Sequence, residues 1–138
     1  HQVIEKKKLF LGICLGMQLM ATKGYENNIE CDGLNFINAE VKSLRKIGCN
    51  LKVPHTGWNG INIKNKNNIL KDISNVSDYY FNHSYVVEPE NKDIVVSTTI
   101  HEIEFASIIN YKNIYGMQFH PEKSSNAGKT LLKNFLSL

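Results

Sequence analysis

Apolar positions along the chain fall into short runs rather than long periodic stretches. After a polar, lysine-rich start over residues 1–8, which fits the end of a helix, Leu9–Cys14 reads Leu-Phe-Leu-Gly-Ile-Cys. A run of that length suits a buried parallel strand. Residues 15–23 place Leu15, Leu19 and Met20 among good helix formers, predicting a helix that Gly24 stops. Between residues 33 and 87 the pattern becomes β-like: 34–44, 51–54, 60–63 and 79–87 set β-branched and aromatic residues between Gly, Asn and Asp turns. Residues 94–100 and 105–110 predict two strands joined at 101–104, and 114–120 a further strand ended by Pro121. The closing segment, 124–138, predicts a helix capped by Ser124 or Ser125, with an apolar stripe of Leu131, Leu132, Phe135 and Leu136. One α/β domain over residues 1–138 results, strand-rich in its middle and without an internal linker.

Composition narrows this little. The chain has 138 residues, 42% hydrophobic and 21% charged, with a formal net charge of +3. These values suit a globular domain and exclude wholesale disorder. No apolar run reaches the roughly 18–20 residues of a membrane-spanning helix. Lys6–Lys8 is the only tight basic cluster, too short for a nucleic-acid arm, so neither nucleic acid nor a membrane is expected as a partner. Cys14, Cys31 and Cys49 form no C-x-x-C pair, which argues against a zinc site or disulfide framework and for a cytoplasmic location. Neither metal nor cofactor is implied. The chain starts at His1 and reaches a buried-type strand by Leu9, which suggests that its front is missing.

Two constellations carry candidate chemistry. In Gly12-Ile13-Cys14-Leu15-Gly16-Met17-Gln18 a strand-to-helix turn sets glycine on both sides of Cys14, the pattern of a nucleophile elbow. Glycines there let neighbouring backbone approach, the helix start favours a thiolate, and the Leu15 amide is placed to hold a developing oxyanion. A small buried cysteine is the bland alternative. The second is Gly116-Met117-Gln118-Phe119-His120-Pro121-Glu122. Extended backbone would bring His120 and Glu122 to one side, so that the carboxylate can fix the imidazole for a Cys–His pair. Trp58 could be a core aromatic, Tyr79–Phe81 a core strand, and His55 and His101 ordinary surface imidazoles. Cys31 and Cys49 are expected to be inert.

Together with Val53–Asn59 (V-P-H-T-G-W-N) and Phe81–Tyr85 (F-N-H-S-Y), these motifs resemble the class I (triad) glutamine amidotransferases, and within them the glutaminase subunits of histidine biosynthesis. The resemblance runs from Leu9 to Leu138. It implies an α/β fold with a mixed, largely parallel sheet flanked by helices, lacking its first strand–helix units. It also implies hydrolysis of L-glutamine by Cys14, His120 and Glu122, with Leu15 as oxyanion donor. Gly12, Gln18, Glu26, His83, Ser84 and Tyr85 would bind substrate. Thr56, Trp58 and Lys123 would face a (β/α)8-barrel synthase subunit, bound as a heterodimer, that receives the ammonia.

Two departures stand out. The subgroup usually has methionine at Thr56 and an apolar residue at Asn82, which keeps open a paralogue supplying ammonia for sugar amidation. The glycine-rich turn that completes the oxyanion hole in the family has no counterpart before His1. Loss of one such donor typically costs about 10²–10³ in turnover, so the isolated chain is expected to have little glutaminase activity. A non-catalytic interaction subunit and a peptidase-like cysteine hydrolase are the alternatives from other classes.

Overall fold

A computed structural model describes residues 2–74 and 76–138. In chain order the elements are α1 (Gln2–Glu5), β1 (Phe10–Ile13), α2 (Leu15–Leu19), β2 (Lys23–Glu26), β3 (Ile29–Asp32), β4 (Ala39–Ser43), β5 (His55–Gly60) and β6 (Asn62–Ile63). There follow β7 (Asp78–His83), β8 (Tyr85–Pro89), β9 (Val95–His101), β10 (Ile103–Tyr111), β11 (Ile114–Met117) and α3 (Ser125–Leu136). The helix end expected over residues 1–8 is α1; His1 lies outside the described residues.

The main sheet has the order β1-β11-β10-β9-β6, a second sheet runs β3-β2-β4-β8, and β5 pairs with β7 as a separate ribbon. The architecture is α/β with mixed sheets. Parallel pairing, however, is confined to β1–β11 and β2–β4 among the described strands, so the expected largely parallel sheet is mostly antiparallel here. The reason lies in the connections. Glu102 alone links β9 to β10, and only Lys112 and Asn113 separate β10 from β11. Links that short can only reverse the chain, whereas parallel neighbours need a long crossover.

Hydrophobic side chains fill both faces of the main sheet. Met17 of α2 and Met20 at its C-terminal end pack with Ala21, Ile37, Val87 and Ile109 in one cluster. Tyr79, Phe81, Phe119, Ile108 and Met117 pack with Leu131 of α3 in the other. Burial on both sides explains the continuous apolar runs read for β10 and β11.

Several local expectations are corrected. The helix after β1 ends at Leu19, and Gly24 lies inside β2 instead of stopping it. The carbonyls at the helix end are taken by a returning loop: Leu34 N–H donates to Leu19 O at 2.8 Å and Phe36 N–H to Met20 O at 2.9 Å. The β2–β3 hairpin was not anticipated, although its signal is present in Asn27 and Asn28, which take φ of 49° and 66° as a tight hairpin turn requires. The single run expected over 79–87 is cut at Ser84 into strands of different sheets. Ser124 does not cap α3 with its side chain; its hydroxyl donates to His120 O at 2.6 Å and accepts from Tyr80 N–H at 2.9 Å. Leu136, assigned to the apolar stripe, is 81% exposed, and the buried side of α3 is carried by Gly128 and Leu131.

Candidate active site

The parallel register of β1 against β11 sets Gly12 opposite Gly116 and Ile13 opposite Met117, and Cys14 N–H donates to Met117 O at 2.7 Å. The two motifs, remote in sequence, therefore meet at the end of one strand pair. Cys14 has φ 49° and ψ −108°, a left-handed backbone that a non-glycine residue adopts at a cost. Such strain is the hallmark of a nucleophile carried on a sharp strand-to-helix turn. Gly12 is required: a Cβ there would lie 2.5 Å from Gly16 O, so β1 and α2 cross by backbone contact. The second glycine is not, since a Cβ on Gly16 would meet nothing within 4 Å.

Cys14 is half-buried, and burial pushes its thiol above the usual range. The Leu15 backbone N–H, Gln118 and Lys123 pull the other way, while Glu122 adds to the rise. Desolvation therefore outweighs the donors at the start of α2, and the expected net preference for a thiolate is reversed. The sulfur donates to Asn82 O at 3.8 Å and receives Gln118 Nε2 at 3.8 Å.

His120, three residues beyond the end of β11, is extended, and Glu122 follows in a 3₁₀ turn started by Pro121. His120 Nδ1 donates to Glu122 Oε1 at 2.7 Å, which leaves Nε2 as the acceptor nitrogen of the neutral ring. Two further bonds hold the turn: His120 N–H to Tyr80 O at 2.9 Å and the Ser124 hydroxyl to His120 O.

Beside α2 lies a cavity of about 190 Å³ lined by Leu15, Gln18, Glu26, Asp32, Val41 and Tyr85, among others. Three of the six residues expected to bind substrate are brought there: Gln18, Glu26 and Tyr85. Gln18 Nε2 donates to Tyr85 O at 3.0 Å and lies 3.4 Å from Gln118 Oε1. Gly12, His83 and Ser84 do not line it. Gly12 serves the strand–helix crossing, and Ser84 O accepts from Leu44 N–H at 2.9 Å. His83 turns inward. Cys31, expected to be inert, is exposed on the cavity wall, whereas Cys49 is buried and donates to His101 O at 3.4 Å.

The β5–β7 ribbon separates two kinds of residue by alternation. Outward, Trp58 is 55% exposed, which overturns a core role, and its ring meets Tyr80 edge-on at 6.0 Å. Lys123 Nζ lies 5.8 Å from the Tyr80 ring centre. Thr56 Oγ1 donates to Asn82 Oδ1 at 3.1 Å, so the two polar residues singled out in the sequence are cross-strand partners. Thr56, Trp58 and Lys123 thus share one surface that borders Cys14 through Asn82.

Inward, sequence reasoning missed a histidine cluster. His55 is 5% exposed rather than on the surface, stacked between Phe81 at 4.8 Å and His101 at 4.2 Å. Its Nδ1 lies 3.0 Å from His83 Nε2, and His83 Nδ1 donates to Tyr85 O at 2.9 Å. Burial lowers both His55 and His83 to about 4, so both rings are neutral. No group of three His, Cys, Asp or Glu able to hold a metal occurs among the described residues. The signal was the alternation itself: His55 and His83 sit in phase with Phe81.

Comparison with known proteins places the chain in a family. The model of the family Glutamine amidotransferase class-I matches residues 1–138. The imidazole glycerol phosphate synthase subunit HisH of Buchnera aphidicola is 47% identical over 135 residues, covering 97% of this chain and 66% of that protein. Its counterpart from Pelagibacter ubique is 40% identical over 135 residues, covering 98% of this chain and 64% of that protein. A glutamine amidotransferase structure from Thermotoga maritima superposes with a TM-score of 0.66 at 20% identity, covering 99% of this chain and 50% of that one. The chain belongs to the class I glutamine amidotransferase family. It spans about two thirds of the length of the two HisH relatives.

Proposed function

We propose that the chain hydrolyses L-glutamine to L-glutamate and ammonia and hands the ammonia to a synthase partner that makes imidazole glycerol phosphate in histidine biosynthesis. The observation that carries this is Cys14 on a strained turn, hydrogen-bonded to the end of β11, the strand whose exit leads three residues on to a His120–Glu122 pair bonded at 2.7 Å. His120 Nε2 takes the thiol proton, and the sulfur attacks the side-chain carboxamide carbon. The oxyanion is held by the Leu15 N–H. Collapse breaks the C–N bond as His120 returns the proton to the departing nitrogen, releasing ammonia and leaving a glutamyl thioester. His120 then takes a proton from water, which attacks the thioester; the C–S bond breaks, glutamate leaves and the thiol is restored. Burial pushes the Cys14 thiol up, which favours its protonated form and gives the transfer to His120 its role. Glu122 holds the ring and stabilises its charged form.

Gln18, Glu26 and Tyr85 line the cavity that would take the amino-acid end of the substrate. The names of the HisH relatives favour the histidine pathway over sugar amidation. The surface of Thr56, Trp58 and Lys123 would dock a (β/α)8-barrel subunit, forming a heterodimer. No helix among the described residues is long and apolar enough to cross a membrane, and three free cysteines suit a reducing cytoplasm. A diazo-ketone glutamine analogue tests the chemistry. It should label Cys14 and spare Cys31 and Cys49, and Cys14→Ser should abolish glutamate release in the presence of the synthase partner. Equal labelling of all three cysteines would overturn the proposal.

A further inference from the structure

Gln118 is fully buried, between the nucleophile and Gln18, and its orientation can be derived. The Tyr85 carbonyl can only accept, so the group 3.0 Å from it on Gln18 is the nitrogen. That nitrogen faces Gln118 at 3.4 Å, which must therefore present Oε1, turning its own Nε2 to the Cys14 sulfur at 3.8 Å. The same carbonyl accepts from His83 Nδ1 at 2.9 Å. His83 Nε2 is then an acceptor for His55 Nδ1 at 3.0 Å, and His55 Nε2 in turn accepts from Asn59 Nδ2 at 3.3 Å. Two hydrogen-bonded branches thus meet at the Tyr85 carbonyl, which orients the amides of Gln18 and Gln118 on the elbow side and the imidazoles of His83 and His55 on the β5 side.

We propose that Gln118 is a positioning residue for the nucleophile, held through Gln18 by the Tyr85 carbonyl so that its carboxamide N–H points at the Cys14 sulfur and favours the deprotonated form. The inference rests on Cys14 being the nucleophile. Of the other influences on the sulfur, the Leu15 N–H and Lys123 act in the same sense, burial and Glu122 oppose them, and His120 is the base that takes its proton in the proposed reaction. Asn82 O accepts from the thiol and so favours the protonated form. Gln118 is the neutral side-chain donor to the sulfur among the described residues.

The test is the pH dependence of iodoacetamide alkylation at each cysteine, read by peptide mass spectrometry. Gln118→Met keeps the volume and removes the donor; it should raise the Cys14 midpoint by about one pH unit and slow alkylation about tenfold at neutral pH. Gln118→Glu should raise it further, by setting a carboxylate against the thiolate. Buried Cys49 serves as the folding control, since its protection is lost if a variant unfolds. In the unaltered chain, selective ¹⁵N labelling of glutamine side chains should show the Gln118 amide moving with the Cys14 midpoint. An unchanged midpoint in Gln118→Met with Cys49 still protected would overturn the proposal. So would a Gln118 amide that ignores the Cys14 titration, and that measurement decides alone if both variants expose Cys49. Failure of the glutamine analogue to label Cys14 would instead count against the proposed hydrolysis, leaving the alkylation profiles interpretable.

Discussion

The elbow and the β5–β7 ribbon build one site by different means. At the elbow, seven consecutive residues supply the turn, the nucleophile, the oxyanion donor and Gln18, and the restraint is backbone against backbone: Gly12 beneath Gly16. In the ribbon nothing is local. His55 meets His83, and Thr56 meets Asn82, only because two strands pair in one register. Alternation then sends one set of side chains into the core and the other to the surface. A site assembled from both has a rigid, strained centre and an outer wall whose two faces can change almost independently. Mutations should separate the two regions by the size and kind of their effects.

The largest effect should come from the inward face of the ribbon. Phe81 is fully buried against Phe119, Phe105 and His55, so Phe81→Ala should cost about 3–5 kcal/mol. Urea unfolding would measure this; a loss below 1 kcal/mol would mean that the ribbon is not anchored through that ring. Next is the elbow. Gly12→Ala sets a methyl against backbone atoms that cannot swing away, an overpacking cost of about 1–3 kcal/mol or more, together with displacement of Cys14. Loss of selective Cys14 labelling by the glutamine analogue would accompany it.

A smaller effect is linked to pH. His55 and His83 are lowered to about 4 in the folded chain, whereas an unfolded imidazole titrates near 6.5. Between those values the unfolded chain binds more protons, so stability is intact above about pH 6.5 and falls as pH drops toward 4. The slope should approach two protons, and His55→Phe should remove about half of it. An equal slope in that variant would refute the assignment. The smallest effect on stability should be on the outward face: Trp58→Ala should change unfolding by less than about 0.5 kcal/mol. Its consequence should appear instead in affinity for the synthase partner, with a loss of about 2 kcal/mol or more if Trp58 anchors the interface. Calorimetric titration of the partner against both forms would measure the difference.

Thr56 and Asn82 show how the two regions carry different kinds of information. Each, read alone, is an isolated polar departure. Their hydrogen bond makes them one feature, a polar clasp on the ribbon surface beside Asn82 O and the Cys14 sulfur. A change at either position should therefore couple to the other.

Motif order, the strand–turn–helix around Cys14, the pairing of His120 with Glu122 and the closing helix were legible along the chain, because each depends on neighbours a few residues apart. The helix end at Leu19 and the burial of His55 were not. The first is decided by carbonyls engaged from residues 34–37, the second by the packing of Phe81 and His101 on its two sides. Gln118 lay in plain view, a polar residue between Met117 and Phe119 in a buried run, yet its direction could not be read. A carboxamide has two nearly identical ends. Only a carbonyl brought from Tyr85, on another strand, decides which end faces the sulfur. The sequence alone determined which chemical groups are present and how the chain bends around them. Tertiary contact decided how those groups are oriented and charged, since desolvation and hydrogen-bond direction are properties of the assembled site.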